Sequence, residues 1–300
     1  MRFGLFGTGF WAEETHGAGL VRSSDVELVG VWGRNPAKAA ALAEKLGSRP
    51  YDEVTALIHD VDAIAVALPP DVQAAIAAEA AEAGKHLLLD KPLSFTVADA
   101  DRVVAAAEAL HVASRVFFTS RFCPEIEDWL QTLASDADWD GAHITMQYNI
   151  YIEGNPYGGS QWRKDRGALW DIGPHALSQL IPVLGPVRRI VSSAGRGDMV
   201  HLVFTHDSGA TSTATLSLTT PEPAMHGDLY FFGPRGISRK PDGVTTPGEA
   251  FDNCLRELLE AIDKGESVDR ADVHFGRDVV AILADADAQL SRAVRAGRRP

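Results

Sequence analysis

The chain has 300 residues, of which 45% are hydrophobic and 23% charged, and its net charge is −13. These values are typical of a globular protein of two domains. The acidic net charge disfavours binding to nucleic acid, which needs clustered cations on the protein. No apolar run is long enough to cross a bilayer, and a glycine turn replaces a signal peptide, so we expect a cytoplasmic protein without a membrane span. Two distant cysteines, Cys123 and Cys254, argue against a disulfide framework or a metal site.

A dinucleotide-binding turn is predicted at the start of the chain. Residues 2–6 form a short apolar strand, and a helix is predicted after the GxGxxA sequence that begins at Gly7 and ends at Ala12. In such a turn the first glycine permits a tight bend, the second admits a pyrophosphate, and the alanine packs against the strand. The predicted cofactor contacts are Gly7, Thr8, Gly9, Phe10 and Trp11.

Short apolar runs alternate with helical patterns through the rest of the first half. The predicted strands are 26–32, 63–68, 87–89 and 114–118, and the predicted helices between them are 36–46, 71–83 and 96–110. This alternation indicates a parallel sheet covered on both faces by helices. Ligands of such sheets bind at the carboxyl ends of the strands.

The end of the second strand bears on the choice of cofactor. NAD sites commonly offer a carboxylate there to the ribose hydroxyls, whereas NADP sites omit it and supply a cation. Here Gly33 replaces the carboxylate, and Arg34 with Lys38 suits a 2′-phosphate. We therefore predict NADP as the preferred cofactor. The alternative is that Arg34 is an ordinary loop cation and the domain takes NAD.

A lysine follows the strand 87–89 at the same predicted edge. Pro92 biases Lys91 towards an extended backbone, which aims its side chain out of the strand end and towards the ligand crevice. There it can hydrogen-bond a substrate hydroxyl or carbonyl. The alternative is a surface lysine before a turn.

A carboxylate and an imidazole lie four residues apart in the second half. Pro174 is tolerated only in a first helical turn, which places Asp171 and His175 at the start of a helix, on one face of it. The alternative is an N-cap with a surface histidine. The preceding loop 153–166 carries Trp162 and Arg163, which suit a lid over a sugar or an acidic group, and surface disorder is the alternative.

The second half also shows the pattern of a sheet with one wetter face. Its predicted strands are 143–152, 187–194, 199–206, 210–219 and 227–233, and helices are predicted over 249–264 and 273–296. Alternation of threonine and histidine with apolar positions predicts a face that lines a sugar site or a dimer interface.

Three segments together resemble the Gfo/Idh/MocA oxidoreductase family: Gly7 to Ala12, Ala83 to Pro92, and Gly167 to His175. The resemblance implies an α/β fold: an N-terminal Rossmann, doubly wound parallel sheet (1–120), and a C-terminal α/β domain with a large open, mainly antiparallel sheet (121–300). It further implies association through that sheet as a homo-dimer or homo-tetramer.

The resemblance also implies roles for particular residues. Lys91, Asp171 and His175 would line the substrate site, Arg121 would be a substrate contact at the domain crossover, and the turn Leu68-Pro69 would lie beside the nicotinamide. Two positions depart from the family pattern. Ser178 stands where many members have an acidic residue and becomes a neutral substrate contact, and Gln73 stands where a histidine is common.

The chain is therefore interpreted as an NADP-preferring dehydrogenase or reductase of a hydroxyl-bearing carbon in a sugar, polyol or related compound. His175 exchanges the hydroxyl proton, since an imidazole with a pKa of about 6.5 suits that work. Lys91 stabilises the alkoxide, and Asp171 orients the substrate or His175. The alternatives are a non-catalytic NADP-binding sensor, a redox-assisted glycosidase, and a dihydrodiol-type reductase.

Overall fold

The computed structural model describes residues 1–136 and 138–297. The chain folds into two compact units. The first unit contains residues 1–123 and 245–280, and the second contains 124–244 and the chain from Ala281 onward.

This division differs from the predicted one in a single respect. The first boundary lies close to the predicted position at residue 120, but the segment 245–280 belongs to the first unit rather than to the second. Aromatic packing explains the difference, because the Phe251 ring lies 5.5 Å from the Phe117 ring and 4.7 Å from that of His16. A helix that buries such a ring against the first sheet stays with that sheet.

The first unit is built on a parallel sheet, as predicted, and this sheet has six strands. Its strands are β1 (Arg2–Phe6), β2 (Glu27–Trp32), β3 (Arg49–Tyr51), β4 (Ala63–Val66), β5 (His86–Asp90) and β6 (Ser114–Phe117). The order across the sheet is β3-β2-β1-β4-β5-β6, so the direction of winding reverses between β1 and β4. That reversal is where open α/β sheets bind dinucleotides.

Helices connect these strands and complete both units. They are α1 (Ala18–Arg22), α2 (Pro36–Lys45), α3 (Val54–His59), α4 (Pro70–Glu82), α5 (Val97–Ala109), α6 (Pro124–Asp136), α7 (Gln161–Asp171), α8 (Gly173–Leu184), α9 (Pro247–Lys264) and α10 (Val273–Gly297). The helix that follows the glycine turn opens with a π-helical segment, Ala12–Gly17, before it continues as α1. Side-chain caps fix the N-termini of three helices: Asn35 caps α2, Thr96 caps α5, and Thr246 forms a capping box with Glu249 at α9.

The second unit is built on a mixed six-stranded sheet. Its strands are β7 (Gly141–Gln147), β8 (Val187–Ala194), β9 (Val200–His206), β10 (Thr211–Ser217), β11 (His226–Gly233) and β12 (Gly236–Arg239). The order is β12-β11-β7-β10-β9-β8, and β10 and β7 run parallel while the other neighbours are antiparallel. The expectation of a mainly antiparallel sheet is confirmed.

The two faces of this second sheet differ sharply. One register row is buried and joins Ile190, Phe204, Ser212, Ala142 and Phe231. The next row joins Val191, Val203, Thr213, His143 and Tyr230, and its two valines are 47% and 46% exposed. The open face is thus a surface of threonine, histidine, valine and tyrosine, as the alternation predicts.

None of the helices in the described part of the chain combines the length and the apolar character needed to span a bilayer.

Candidate functional site

The strand ends of the first unit lie level at one edge of the sheet. Phe6 pairs with Trp32 and with Val66, and Val66 pairs with Leu89. Neighbouring strands are separated by about 4.8 Å, so the ends of β1 and β5 are about 10 Å apart. The turns that carry the glycines, Arg34, Leu68 and Lys91 therefore open at the same edge.

The glycine turn meets the requirements of a pyrophosphate site for two separate reasons. Gly7 has φ +139°, and a Cβ there would lie 2.5 Å from the Ala67 carbonyl oxygen, so protein packing demands glycine. A Cβ on Gly9 would meet nothing within 4 Å among the described residues. The second glycine therefore leaves open space above the start of a helix, which is where backbone N–H groups hold a phosphate. The residues present fit a dinucleotide.

The remaining residues of the turn have different surroundings. Trp11 is partly buried and its ring stacks on Phe117 at 6.1 Å between centroids, whereas Phe10 is 49% exposed. Thr8 packs towards Gly33, where a Cβ would lie 2.4 Å from the threonine methyl carbon. A side chain at residue 33 would therefore displace Thr8, a constraint that the sequence did not reveal.

Two exposed cations stand beyond Gly33. Arg34 and Lys38 are both exposed, and the side chain of Asn35 between them accepts a hydrogen bond from the Lys38 N–H at 3.2 Å. This cap fixes the first turn of α2, so both cations lie at its N-terminus, the positive end of the helix dipole. An anionic phosphate is the complement of such a site.

Lys91 follows directly after β5. Its side chain is partly buried, and its backbone N–H donates to the Asp90 carboxylate at 2.8 Å. Leu68 and Pro69 are also partly exposed and form the turn between β4 and α4. All three residues lie where strands β4 and β5 end, and their contacts to a cofactor or substrate stay predictions.

The structure changes the interpretation of Gln73. Its side chain is completely buried in the first turn of α4, with hydrogen bonds to the backbone on both sides of Lys91. It does not face a ligand directly. Its departure from the family's histidine therefore carries no information about the substrate.

Asp171 and His175 do not share one helix, so the predicted helical face is wrong. α7 ends at Asp171, Ile172 separates the two segments, and His175 lies in the first turn of α8. α7 is itself kinked at Gly167, which has φ +63° and ψ −161°. Pro174 lacks an N–H and therefore suits the first turn of a new helix, which is why the chain restarts there.

Asp171 is paired with a predicted residue of the preceding segment. Nε of Arg163 lies 3.0 Å from a carboxylate oxygen of Asp171, and both side chains are largely buried. The guanidinium also lies over the rings of Trp162 and Tyr157, at 4.5 and 5.1 Å. Part of the predicted loop 153–166 is therefore helical, and it carries Arg163 to the carboxylate.

Sequence reasoning missed Tyr151 in this region. Burial raises the pKa of its phenol, the charges of Asp198 and Asp171 raise it further, and Arg163 opposes them. The phenol thus stays protonated and can donate a hydrogen bond at neutral pH. Its position at the end of the predicted strand 143–152, directly before the long loop, was the available signal.

The other predicted substrate contacts are more deeply placed. His175 is partly exposed, but Ser178 is completely buried and its hydroxyl donates to the His175 carbonyl at 3.0 Å. Arg121 is 4% exposed, in the turn Thr119–Phe122 of the first unit, and lies 6.0 Å from the Phe275 ring. Their burial weighs against direct contact of Ser178 and Arg121 with a substrate.

Within the described residues, no group of three or more histidine, cysteine, aspartate or glutamate side chains is arranged to hold a metal ion.

Comparison with known proteins gives a consistent result. Residues 1–118 match the family described as an oxidoreductase family with an NAD-binding Rossmann fold. The chain is similar to D-xylose 1-dehydrogenase (NADP(+)) 2 of Haloferax volcanii, with 30% identity over 236 residues that cover 74% of this chain and 71% of the relative. It is also similar to dTDP-3,4-didehydro-2,6-dideoxy-alpha-D-glucose 3-reductase of Streptomyces antibioticus, with 26% identity over 258 residues, or 82% and 77% of the two chains.

Among solved structures, UDP-N-acetylglucosamine 3-dehydrogenase from Acidithiobacillus ferrooxidans superposes with a TM-score of 0.81. The match covers 97% of this chain and 98% of that one, at 22% identity. It shows that the two proteins share a fold over their whole lengths.

Proposed function

This chain belongs to the Gfo/Idh/MocA family of NAD(P)-binding oxidoreductases, and we propose that it transfers a hydride between nicotinamide and a hydroxyl-bearing carbon of a sugar or polyol. It is an NAD(P)-dependent dehydrogenase or reductase that acts on CH–OH groups. The substrate and the role of each site residue are the parts that we propose.

One observation carries the proposal: the lysine turn and the glycine turn open at the same edge of one parallel sheet. The ends of β1, β4 and β5 pair level with one another, and Gly9 leaves space for a phosphate beside that row. A dinucleotide that lies along this edge brings its far end towards Lys91. An ammonium group at that point suits an alcohol that is being oxidised, because the oxygen gains negative charge.

The cofactor would be held by the turn Gly7 to Trp11, by Arg34 and Lys38 at its adenosine end, and by Leu68 and Pro69 at its other end. When bound, it accepts or supplies the hydride. Gly33, Arg34 and Lys38 support a preference for NADP, because residue 33 carries no carboxylate, two cations flank the N-cap of α2, and its first turn contains no acidic residue.

The protein's own residues then handle the proton and the charge. We assign to Lys91 the stabilisation of the alkoxide oxygen. His175 accepts the hydroxyl proton during oxidation and returns it during reduction. Asp171 is occupied as the ion-pair partner of Arg163, so an orienting role suits it better than that of a base. Tyr151, as a neutral phenol, is available as a hydrogen-bond donor to a substrate hydroxyl.

A sugar or polyol is the substrate class that we favour. The sugar dehydrogenase and sugar reductase among the relatives support it, and the aromatic rings of Tyr157 and Trp162 around Arg163 suit the apolar face of a sugar. Gln73 and Ser178, which depart from the family pattern, would favour the dihydrodiol alternative if they lined the pocket. Both are completely buried, so that support is lost.

A substrate screen tests the proposal. Purified protein would be incubated with aldoses, polyols and aromatic dihydrodiols, each with NADP⁺ and with NAD⁺, and reduction of the nicotinamide followed by absorbance. We expect turnover of at least one sugar or polyol, faster with NADP⁺, and its loss in Lys91→Met and in His175→Ala. Turnover confined to dihydrodiols would overturn the substrate class, and undiminished turnover in both variants would overturn the assigned roles.

We also propose that copies of the chain associate through the open face of the second sheet, as a homo-dimer or homo-tetramer. Exposed valines lie opposite one another there on neighbouring strands, at Val191 and Val203. A cytoplasmic location stays a prediction.

A further inference from the structure

One buried amide holds the backbone around Lys91. Nε2 of Gln73 donates to the carbonyl oxygens of Asp90 at 2.7 Å, Pro92 at 3.1 Å and Leu93 at 3.3 Å. Oε1 of the same side chain accepts the Asp90 N–H at 2.8 Å. The two ends of the amide therefore bind the residue before Lys91 and the two residues after it.

A further backbone group of this turn is also occupied. The Lys91 N–H donates to the Asp90 carboxylate at 2.8 Å. Lys91 is thus held between bonded neighbours, and the freedom left to its ammonium group lies mainly in its own side chain. The backbone atoms that set its starting point are fixed by a residue of another element, α4.

Gln73 also lies next to the other turn at this edge. Its N–H donates to the Pro69 carbonyl at 2.9 Å, so the same residue is bonded to the Leu68-Pro69 turn through its backbone and to the Lys91 turn through its side chain. The side chain has no exposed surface. It therefore sets the spacing between the two turns without contacting a ligand.

We propose that Gln73 is a positioning residue for the hydride-transfer reaction: it fixes Lys91 relative to the Leu68-Pro69 turn, so that the ammonium meets the reacting oxygen. This proposal rests on the proposed function, because it acts through Lys91.

An amide suits the chemistry of this position. Its two N–H donors are shared among three carbonyl oxygens, and its oxygen accepts the Asp90 N–H. A glutamate would set a carboxylate against the carbonyls, and a methionine of similar length would leave all four backbone groups unpaired. A neutral histidine offers one donor and one acceptor and would keep some of the four hydrogen bonds.

Hydrogen exchange tests the contacts without a substrate. In Gln73→Met we expect the Asp90 amide to exchange faster by about tenfold or more, whereas the Leu87 amide, which donates to Ala113, stays protected. Ile76→Ala, a buried change in the same helix, is the matched control and should leave Asp90 protected. Unchanged exchange at Asp90 in Gln73→Met would overturn the proposal.

A double-mutant cycle tests the route through Lys91, with the substrate found in the screen. We expect Gln73→Met to lower kcat by about tenfold to a hundredfold, with the Kd for NADPH unchanged, and Gln73→His to recover part of the loss. In a Lys91→Met background the same change should lower kcat no further. An equal loss in both backgrounds would show a general structural role and overturn the proposal.

The double-mutant cycle also distinguishes failure of this proposal from failure of the proposed function. Wild-type kcat in Lys91→Met alone would overturn the role of Lys91 itself, whatever the exchange data show about Gln73. Loss of activity in Lys91→Met combined with additive losses in the cycle would leave the proposed function standing and overturn the role of Gln73 alone.

Discussion

At the scale of single residues, His16 stands out because its burial is not matched by hydrogen bonds. It lies in the π-helical segment after the glycine turn, is completely buried, and has no hydrogen-bond partner at either ring nitrogen within the described residues. Its surroundings are the rings of Phe117 and Phe251. Burial lowers its pKa to about 3 from an ordinary value of 6.5.

Because the His16 imidazole is buried and its pKa lowered, we predict that the folded protein loses stability in acid. Between pH 6.5 and about 3 the unfolded chain binds a proton that the folded chain does not, so stability falls as pH falls through this range. In His16→Leu that contribution is absent, and at pH 4.5 the loss relative to neutral pH should be smaller by about 2–3 kcal/mol. Urea unfolding at both pH values measures it.

The control for this comparison is His226→Gln, at an exposed residue of β11. It should keep the wild-type dependence on pH. Equal pH dependence in wild type and His16→Leu would contradict the assignment.

A second prediction at this scale concerns Arg34 and Lys38 and their effect on cofactor affinity. If they hold a 2′-phosphate, the double variant Arg34→Ala/Lys38→Ala should weaken NADPH binding by about tenfold or more, since charge-assisted bonds to phosphate are lost. NADH affinity should be unchanged. Fluorescence titration with both cofactors checks this, with the exposed Arg102→Ala as the control. Equal weakening of NADPH and NADH binding would show that the two cations do not recognise the 2′-phosphate.

At the scale of elements, the sequence predicted the repeating pattern better than its interruptions. Continuous apolar runs such as 63–66 and 87–89 identify buried parallel strands without help from tertiary structure. The three-residue edge strand β3 escaped prediction because Pro50 lies at its centre and it shows no periodicity. α6 was also missed, although its buried residues recur at helical spacing, as Ile126, Leu130 and Leu133 do.

The candidate site shows the same limit. The glycine turn and Lys91 follow from local sequence, because a motif and a strand end suffice to place them. The pair formed by Arg163 and Asp171 and the bonds of Gln73 to the Lys91 turn depend on a kink and on the packing of separate elements. No spacing rule predicts such contacts, since they are set by the three-dimensional arrangement.

Gly167 is the position where an element's geometry can be tested. Its φ of +63° and ψ of −161° belong to a region that is essentially restricted to glycine. The kink lies between Arg163 and Asp171 along the chain and so bears on the pairing of their side chains. Gly167→Ala should destabilise the protein by about 1–3 kcal/mol and lower activity, as measured by thermal unfolding and by the assay. Gly159→Ala is the control, because a Cβ there meets nothing within 4 Å among the described residues. Equal stability of the two variants would contradict this account of the kink.

At the scale of the whole molecule, the open face of the second sheet is the surface on which the proposed association depends. Val203→Asp places a charge on that face, opposite Val191, and should convert the oligomer to a monomer in light scattering. Val244→Asp, at an 84% exposed residue outside the sheet, should leave the mass unchanged. A monomeric wild type, or an oligomer that survives Val203→Asp, would contradict the proposed interface.

The proposed reaction is defined by where the hydride goes and by which residue supports its transfer. The most direct measurement is transfer of deuterium from the C–D bond of the oxidised carbon to NADP⁺, followed by mass spectrometry of the reduced cofactor. We expect the label in NADPH with wild type, and a transfer rate lower by about a hundredfold in Lys91→Met with NADPH affinity unchanged. Unlabelled NADPH, or labelling by Lys91→Met at the wild-type rate, would contradict the account.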